Sequence, residues 1–330
     1  MENRTYTTRF DNTDAMDPQA LIYALKQNIR EAIVGKDDVI ELLLIALICR
    51  GHVLIEDVPG VGKTTLASAL SKSIRCSFKR IQFTPDVTAS DVVGYTMVNM
   101  QTGETEYRPG AVMSQIVLAD EINRTSPKTQ SALLEVMEEG QVTVDGETHP
   151  LPRPFMVLAT QNPVDFVGTY PLPEAQMDRF MMKVRIGYPS VEEEIDLLER
   201  YTGASTPMQT IVPVCRTEDV LHLQERMGTV YCSPEARSYV ARITAATRKS
   251  PSLQLGASPR AAIALLRASQ ASALLAGRDY VLPDDIQRML EPVLEHRLIL
   301  TPEARMKNVT GAQVLQGLIK TIPVPGGRKG

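Results

Sequence analysis

The segment Asp57-Val58-Pro59-Gly60-Val61-Gly62-Lys63-Thr64 constrains this 330-residue chain more than any other. The hydrophobic run His52-Val53-Leu54-Ile55-Glu56 leads into it, and a helical pattern with Leu66, Leu70 and Ile74 on one face leads out. A strand, a glycine-containing turn and Gly-Lys-Thr opening a helix form the setting that a phosphate-binding loop requires. Backbone poor in side chains lets several N–H groups converge on one anion, and the new helix adds the positive end of its dipole. Lys63 is expected to bridge terminal phosphates and Thr64 to offer its hydroxyl to Mg²⁺. Val58, Pro59, Gly60, Val61 and Gly62 form the cradle, with Thr65 directly behind it. Asp57 stands where such loops usually carry glycine. Asp accepts unusual backbone angles more readily than most residues, so the turn is expected to form around it. The alternative, a surface turn that merely contains Gly-Lys-Thr, is opposed by the flanking strand and helix.

A second signal lies downstream. Ile116-Val117-Leu118-Ala119 reads as a buried strand ending in Asp120-Glu121. In a parallel sheet, ligands gather at the carboxyl ends of the strands, so both acids face the phosphates. Asp120 is expected to hold Mg²⁺ through water and Glu121 to polarise an attacking water. Phe155 to Thr160 reads as another buried strand with Asn162 at its end, and an amide that both donates and accepts suits the positioning of that water. Upstream, Asp17-Pro18 starts a helix that runs to about residue 32. Val34-Gly35 breaks it before a second helix that ends at Cys49. That break is either the wall of an adenine pocket or a plain helix–helix turn.

Five apolar runs, near 53–56, 78–83, 116–119, 155–159 and 182–186, alternate with helical patterns and give an α/β sheet. Tyr95 to Asn99 and Thr105 to Tyr107 flank Gln101-Thr102-Gly103 as a hairpin that touches substrate or pads a surface. Strand-like residues around Asp145-Gly146 give a second hairpin. From Ser190 the pattern turns helical, with starts at Ser190, Ser233-Pro234, Ser258-Pro259 and Pro283 and no convincing strand pair. The chain therefore divides into a polar, mobile segment 1–16, an α/β core 17–189, an all-α lid 190–325 and a frayed tail 326–330. At this length each of two domains can bury a core.

Net charge of −4 gives no general pull toward nucleic acid or an anionic membrane. Aromatic content of 5%, with no Trp, disfavours stacking on single strands. Four scattered cysteines fit a reducing compartment and free thiols, and the histidines form no zinc-ligand pair. The longest apolar run, Leu42 to Cys49, is too short to cross a membrane. Together with a polar amino terminus this points to a cytoplasmic protein without direct membrane insertion.

Six motifs in order carry a resemblance to a known family. They are Glu56-Asp57-Val58-Pro59-Gly60-Val61-Gly62-Lys63-Thr64, Leu118-Ala119-Asp120-Glu121-Ile122-Asn123-Arg124, Ala159-Thr160-Gln161-Asn162-Pro163, Tyr170-Pro171-Leu172-Pro173-Glu174-Ala175, Asp178-Arg179-Phe180 and Gly256-Ala257-Ser258-Pro259-Arg260. Across roughly residues 17 to 322 the chain resembles the MoxR branch of the AAA+ ATPases. The resemblance implies a P-loop core with strand order 5-1-4-3-2, helices on both faces and a helical lid, assembled into a homo-oligomeric ring, usually a hexamer. It implies Mg²⁺-dependent ATP hydrolysis. It casts residues 95–110 as the helix-2 insert and 141–150 as the pre-sensor hairpin. Asn162 matches sensor 1. Arg260 matches sensor 2, reaching the γ-phosphate of its own subunit. Arg179 is the candidate arginine finger for a neighbour's nucleotide, and Arg124 is the weaker candidate; for each arginine the alternative is a surface salt bridge, worth little. The implied role is a chaperone-like motor that matures or remodels client protein complexes, or inserts their cofactors, with a partner carrying a von Willebrand factor type A domain. A nucleic-acid motor of the helix-2-insert clade is the alternative. An enhancer-binding activator is disfavoured because its Gly-Ala-Phe-Thr-Gly-Ala loop is absent, and a non-enzymatic scaffold because Lys63, Asp120, Glu121, Asn162 and Arg260 are all present.

Overall fold

Five short apolar runs pair into one parallel sheet in a computed structural model that describes residues 17–101, 103–163, 168–202 and 206–325. The expectations for segment 1–16, for the tail 326–330 and for Thr102 of the first hairpin turn fall outside those residues. The sheet strands are β1 (Val53–Glu56), β2 (Phe78–Gln82), β5 (Ile116–Asp120), β8 (Met156–Gln161) and β9 (Met182–Val184). The intervening labels belong to two antiparallel hairpins, β3 (Gly94–Val98) with β4 (Thr105–Pro109) and β6 (Gln141–Val144) with β7 (Glu147–Pro150). The sheet order is β2-β5-β8-β1-β9, every pair parallel, which is 5-1-4-3-2 read from the β9 edge. In the second hairpin turn Asp145 and Gly146 both take positive φ, 50° and 84°, as a tight Asp-Gly turn demands.

The central strands are apolar throughout because both faces are covered. Val53, Ile55, Ile116, Leu118, Met156 and Leu158 point to one side, and Leu54, Val117, Ala119, Val157 and Ala159 to the other. Helices α1 (Pro18–Arg30), α2 (Asp37–Ile48) and α3 (Lys63–Ser73) supply residues to the first side, while α4 (Ala89–Val93) and α5 (Pro127–Glu139) supply the second. The one-turn α6 (Glu174–Met177) precedes β9. Starts follow the expected local chemistry: the Asp17 carboxylate accepts from Ala20 N–H at 3.1 Å, and Ser126 caps α5 before Pro127.

The carboxyl-terminal region holds α7 (Val191–Arg200), α8 (Pro207–Thr210), α9 (Thr217–Met227), α10 (Pro234–Lys249), α11 (Pro259–Leu275), α12 (Pro283–Leu294), α13 (Pro302–Met306) and α14 (Gly311–Ile319). Two features differ from the sequence reading. A small antiparallel ribbon joins β10 (Leu253–Leu255) to β11 (Ile299–Leu300), so the lid is helical but not wholly so. Segments of two or three residues carry no readable alternation, and only the tertiary fold brings them together. Second, the lid does not have a core of its own. The apolar cluster on the α2 side of the sheet runs on through Leu223, Tyr239, Leu265 and Met289. Helix α2 is buried nearly all round, packing against α1 and β9 as well as α9 and α11.

His52, at the entrance to β1, is fully buried. Val157 N–H donates to its Nδ1 at 3.0 Å, so the proton sits on Nε2, which donates to the Met137 carbonyl at 2.9 Å. Burial pushes the imidazole pKa down to about 4. The unfolded chain therefore binds a proton that the folded chain refuses. Stability is full above pH 6.5 and declines toward pH 4, by about 3 kcal/mol for this one group. Buried His296, also lowered by burial, adds a loss of the same sign. In urea unfolding at pH 7.5 and pH 5, His52→Gln is expected to show a smaller drop between the two pH values than the wild type. An equal drop in both would show that His52 does not carry the acid sensitivity.

Candidate functional site

At the carboxyl end of β1 the chain turns through Asp57 into the loop before α3. Gly60 and Gly62 take φ of 87° and 91°, a region in which side-chain-bearing residues are strained. Nothing lies within 4 Å of where a Gly60 Cβ would stand, so the loop backbone is open to a ligand. Asp57 does not adopt a left-handed conformation. The tolerance argued from sequence is not what Asp57 supplies. Its Oδ2 instead accepts from the N–H groups of Ile186 at 2.7 Å and Gly187 at 2.6 Å, and its Oδ1 from its neighbour Val58 at 2.8 Å. The carboxylate fastens the loop to the chain leaving β9, a link that glycine cannot make.

Glu56, one residue earlier, ties the neighbouring strand ends together. Gln161 Nε2 donates to it at 2.8 Å, and Lys183 and Arg185 pair with it at 3.2 and 3.1 Å. Burial alone would raise its pKa, but these partners outweigh burial and hold the carboxyl below its ordinary value.

A cleft of about 380 Å³ opens over the loop, lined by Pro59, Gly60, Gly62, Lys63, Thr64 and Thr65 on one side and Asp120, Glu121 and Asn162 on the other. Lys63 Nζ donates to the Asp57 carbonyl at 2.6 Å. Burial lowers the Lys63 pKa from the usual lysine value, while Asp120, Asp57 and Glu121 pull it back. The Thr160 hydroxyl donates to Asp120 Oδ1 at 2.6 Å and accepts from Glu121 N–H at 2.9 Å. Glu121 itself takes φ 57°, an uncommon conformation for a long side chain. Its carboxylate accepts from Gln82 Nε2 at 3.0 Å and pairs with Arg124 Nε at 3.1 Å. Arg124 thus lies beside the chain's own acidic pair.

Two strand residues in this cleft escaped the sequence reading. Arg80 and Gln82 come from β2, whose alternation is readable but whose outward residues look like ordinary surface. Arg80 grips Asp120 Oδ2 with Nη2 at 2.6 Å and Nε at 3.2 Å, and also donates to Gln82. The register that sets Gln82 opposite Asp120 is the only signal, and it requires the sheet order.

A second cavity of about 520 Å³ shares Gly60, Gly62 and Thr65 with the first. Ala32, Ile33 and Val34 form one wall, and Tyr188, Leu197 and Leu198 the other. Val34, which the sequence left between a pocket wall and a helix–helix turn, lines this cavity. Gly35 contributes indirectly: with φ 68°, it allows the Glu193 side chain so near that a Cβ would meet Oε1 at 1.8 Å. Apolar walls beside an open anion loop accommodate a nucleoside next to its phosphates.

For a metal, the Thr64 hydroxyl and the Asp120 carboxylate offer hard oxygen donors. No group of three or more His, Cys, Asp or Glu side chains fit for a metal occurs among the described residues. Two such oxygens are the share a protein gives to Mg²⁺, which completes its shell with phosphates and water.

The two remaining arginines do not line this cleft. Arg179 Nε pairs with Glu138 Oε2 at 3.2 Å, and Arg260 Nη1 donates to Glu138 Oε1 at 2.9 Å. Arg260 was expected at its own subunit's phosphates. Instead the fold sets it beside Arg179, because α11 begins where Ser258 Oγ donates to Asp178 Oδ2 at 3.2 Å.

Comparisons with known proteins give the family. A profile of the ATPase family associated with various cellular activities (AAA) matches residues 52–182, and one of the AAA lid domain matches residues 245–318. Chaperone MoxR1 of Mycobacterium tuberculosis is 41% identical over 306 residues, covering 90% of this chain and 80% of its own. The chain belongs to the MoxR family of AAA+ ATPases. Another member, Protein MoxR of Methylorubrum extorquens, is 30% identical over 331 residues, covering 91% of this chain and 94% of its own. YeaC of Bacillus subtilis is 52% identical over 309 residues, covering 94% and 96%. A crystal structure from Cytophaga hutchinsonii superposes on this MoxR-family chain with a TM-score of 0.87 at 39% identity, covering 93% of this chain and 96% of that one. An MCM homologue from Methanopyrus kandleri shares the fold alone, at 18% identity and a TM-score of 0.58. No described helix is long and apolar enough to cross a membrane.

Proposed function

We propose that this MoxR-family protein hydrolyses ATP at junctions between copies of itself in a ring, hexameric as in its family, and uses the cycle to remodel other protein complexes. In this reading Lys63 holds the terminal phosphates, and the backbone of residues 58–62 cradles the rest. Glu121 accepts a proton from water that Asn162 orients. Gln82 and Arg124 hold the Glu121 carboxylate in place. Thr64 and Asp120 would hold Mg²⁺, which supplies charge neutralisation on the phosphates when bound. Asp120 reaches that role only when Arg80 yields Oδ2.

One observation carries the proposal. The phosphate cleft contains a base, an anion loop and a metal-ligand set but neither Arg179 nor Arg260, which sit together at the core–lid junction. Both side chains are partly exposed, at 30% and 46%, and so are available to an anion on a neighbouring copy. Arg179 therefore acts as a finger in trans, and Arg260 acts beside it rather than on its own nucleotide. The client-directed role, with maturation or cofactor insertion as its outcome and a von Willebrand factor type A protein as partner, rests on the family resemblance. A cytoplasmic location rests on the scattered cysteines, which suit a reducing compartment. The acidic balance disfavours the nucleic-acid alternative.

Mg²⁺-dependent phosphate release, followed together with sedimentation while the protein is diluted, tests this reading. Turnover per chain is expected to fall as the assembly dissociates, and Glu121→Gln to retain ATP while losing nearly all turnover. Undiminished turnover by a monomer would overturn it.

A further inference from the structure

We infer that Glu138 is a positioning residue for the reaction: it presents Arg179 and Arg260, one from the core and one from the lid, as a single pair to the neighbouring copy's triphosphate. The inference rests on the proposed junction chemistry and adds a residue outside the six motifs quoted above.

The local sequence around Glu138 is costly by itself. Helix α5 ends at Gly140 in a left-handed cap, and its last turn carries Glu138 and Glu139 with no basic residue. Carboxylates at the negative end of a helix dipole are destabilising. At the other partner, Arg260 lies at the second position of α11, where the positive dipole end opposes a cation. Each charge is misplaced on its own helix; Arg260 finds its counter-charge in Glu138 across the core–lid boundary, and Glu138 finds two, Arg260 from the lid and Arg179 from the core. Local violations compensated at long range are characteristic of functional sites.

The backbone beneath both arginines is fixed. Buried Arg297 donates to the Phe180 carbonyl at 2.7 Å and pairs with Asp178 Oδ1 at 2.7 Å, gripping the residues on both sides of Arg179. Asp178 also accepts from Ser258, the cap of α11, which fixes the start of the helix bearing Arg260. What this frame leaves free is the direction of two long, half-exposed side chains. Glu138 sets that direction with one oxygen for each guanidinium. Burial, with the Arg260 charge as a smaller contribution, pushes the Arg297 pKa down to about 10 despite Asp178. A preset pair needs less ordering when the anion arrives.

The test mixes variants. Glu138→Ala alone is expected to lose about 10²-fold or more in turnover, with nucleotide affinity unchanged, because its own cleft is intact. Lys63→Ala alone has a defective cleft but an intact arginine pair. Mixed into common rings, the two are expected to recover at least about tenfold over either alone, since each supplies what the other lacks. Arg179→Ala mixed with Lys63→Ala is the control for the shared junction. Recovery in the control but not with Glu138→Ala overturns the role of Glu138, as does wild-type turnover by Glu138→Ala alone. Absence of recovery in both mixtures overturns the junction reading and this inference with it. Should Glu138→Ala fail to fold, Glu138→Gln, which keeps one acceptor for one arginine, serves in its place and is expected to be intermediate in turnover and to recover in the same mixture.

Discussion

Arg179→Ala is expected to reduce ATP turnover by about 10³-fold or more, the range of arginine fingers in other phosphoryl-transfer enzymes, while nucleotide affinity stays within about twofold of wild type. The split between the two readouts is the informative part. Arg179 lies outside the cleft formed by Lys63, Thr64, Asp120 and Glu121, so its loss leaves those contacts in place. Its planar guanidinium pairs with Glu138 through Nε at 3.2 Å, and a fork of five donors can hold a carboxylate and an incoming anion together. Arg179→Lys is therefore expected to recover little, because an ammonium cannot make both contacts in that geometry. Equal loss of affinity and turnover, measured by fluorescent-nucleotide titration and phosphate release on the same preparation, would make Arg179 a structural residue.

Lys63→Ala is expected to weaken nucleotide binding by about 2–5 kcal/mol, the cost of leaving a buried anion without its charged partner, and so to abolish turnover at millimolar ATP. The fold should survive. Lys63 Nζ donates to a single backbone carbonyl, that of Asp57, and the loop is fastened independently by the Asp57 carboxylate. Asp57→Gly, which restores the glycine common at that position, is expected to do the reverse. It removes the acceptors for Ile186 and Gly187 and lowers the unfolding temperature, while leaving the phosphate-facing N–H groups available. Calorimetry and nucleotide titration on the two variants check the contrast. If Lys63→Ala proves the less stable of the two, with affinity retained, these roles must be exchanged.

Much of this protein was legible in its residues. The anion loop, the acidic pair at the end of β5, both hairpins and the sheet strands are local patterns: two or three adjacent residues, a period of two, or a cap before a proline suffices to mark each. The family resemblance then supplied the sheet order, and the pairing bears it out. Tertiary structure decided whatever depends on distant segments meeting. Arg80 and Gln82 enter the cleft only because β2 lies beside β5, and Asp57 matters through the chain leaving β9. Glu138 joins Arg179 to Arg260 over sequence separations of 41 and 122 residues. No periodicity or spacing records such meetings, because the energy of a long-range ion pair depends on where the backbone ends up and not on its neighbours in sequence. For the same reason the lid's shared core and its short ribbon were unreadable in advance, whereas the self-capped helix starts at Asp17, Ser190, Ser233 and Ser258 were not.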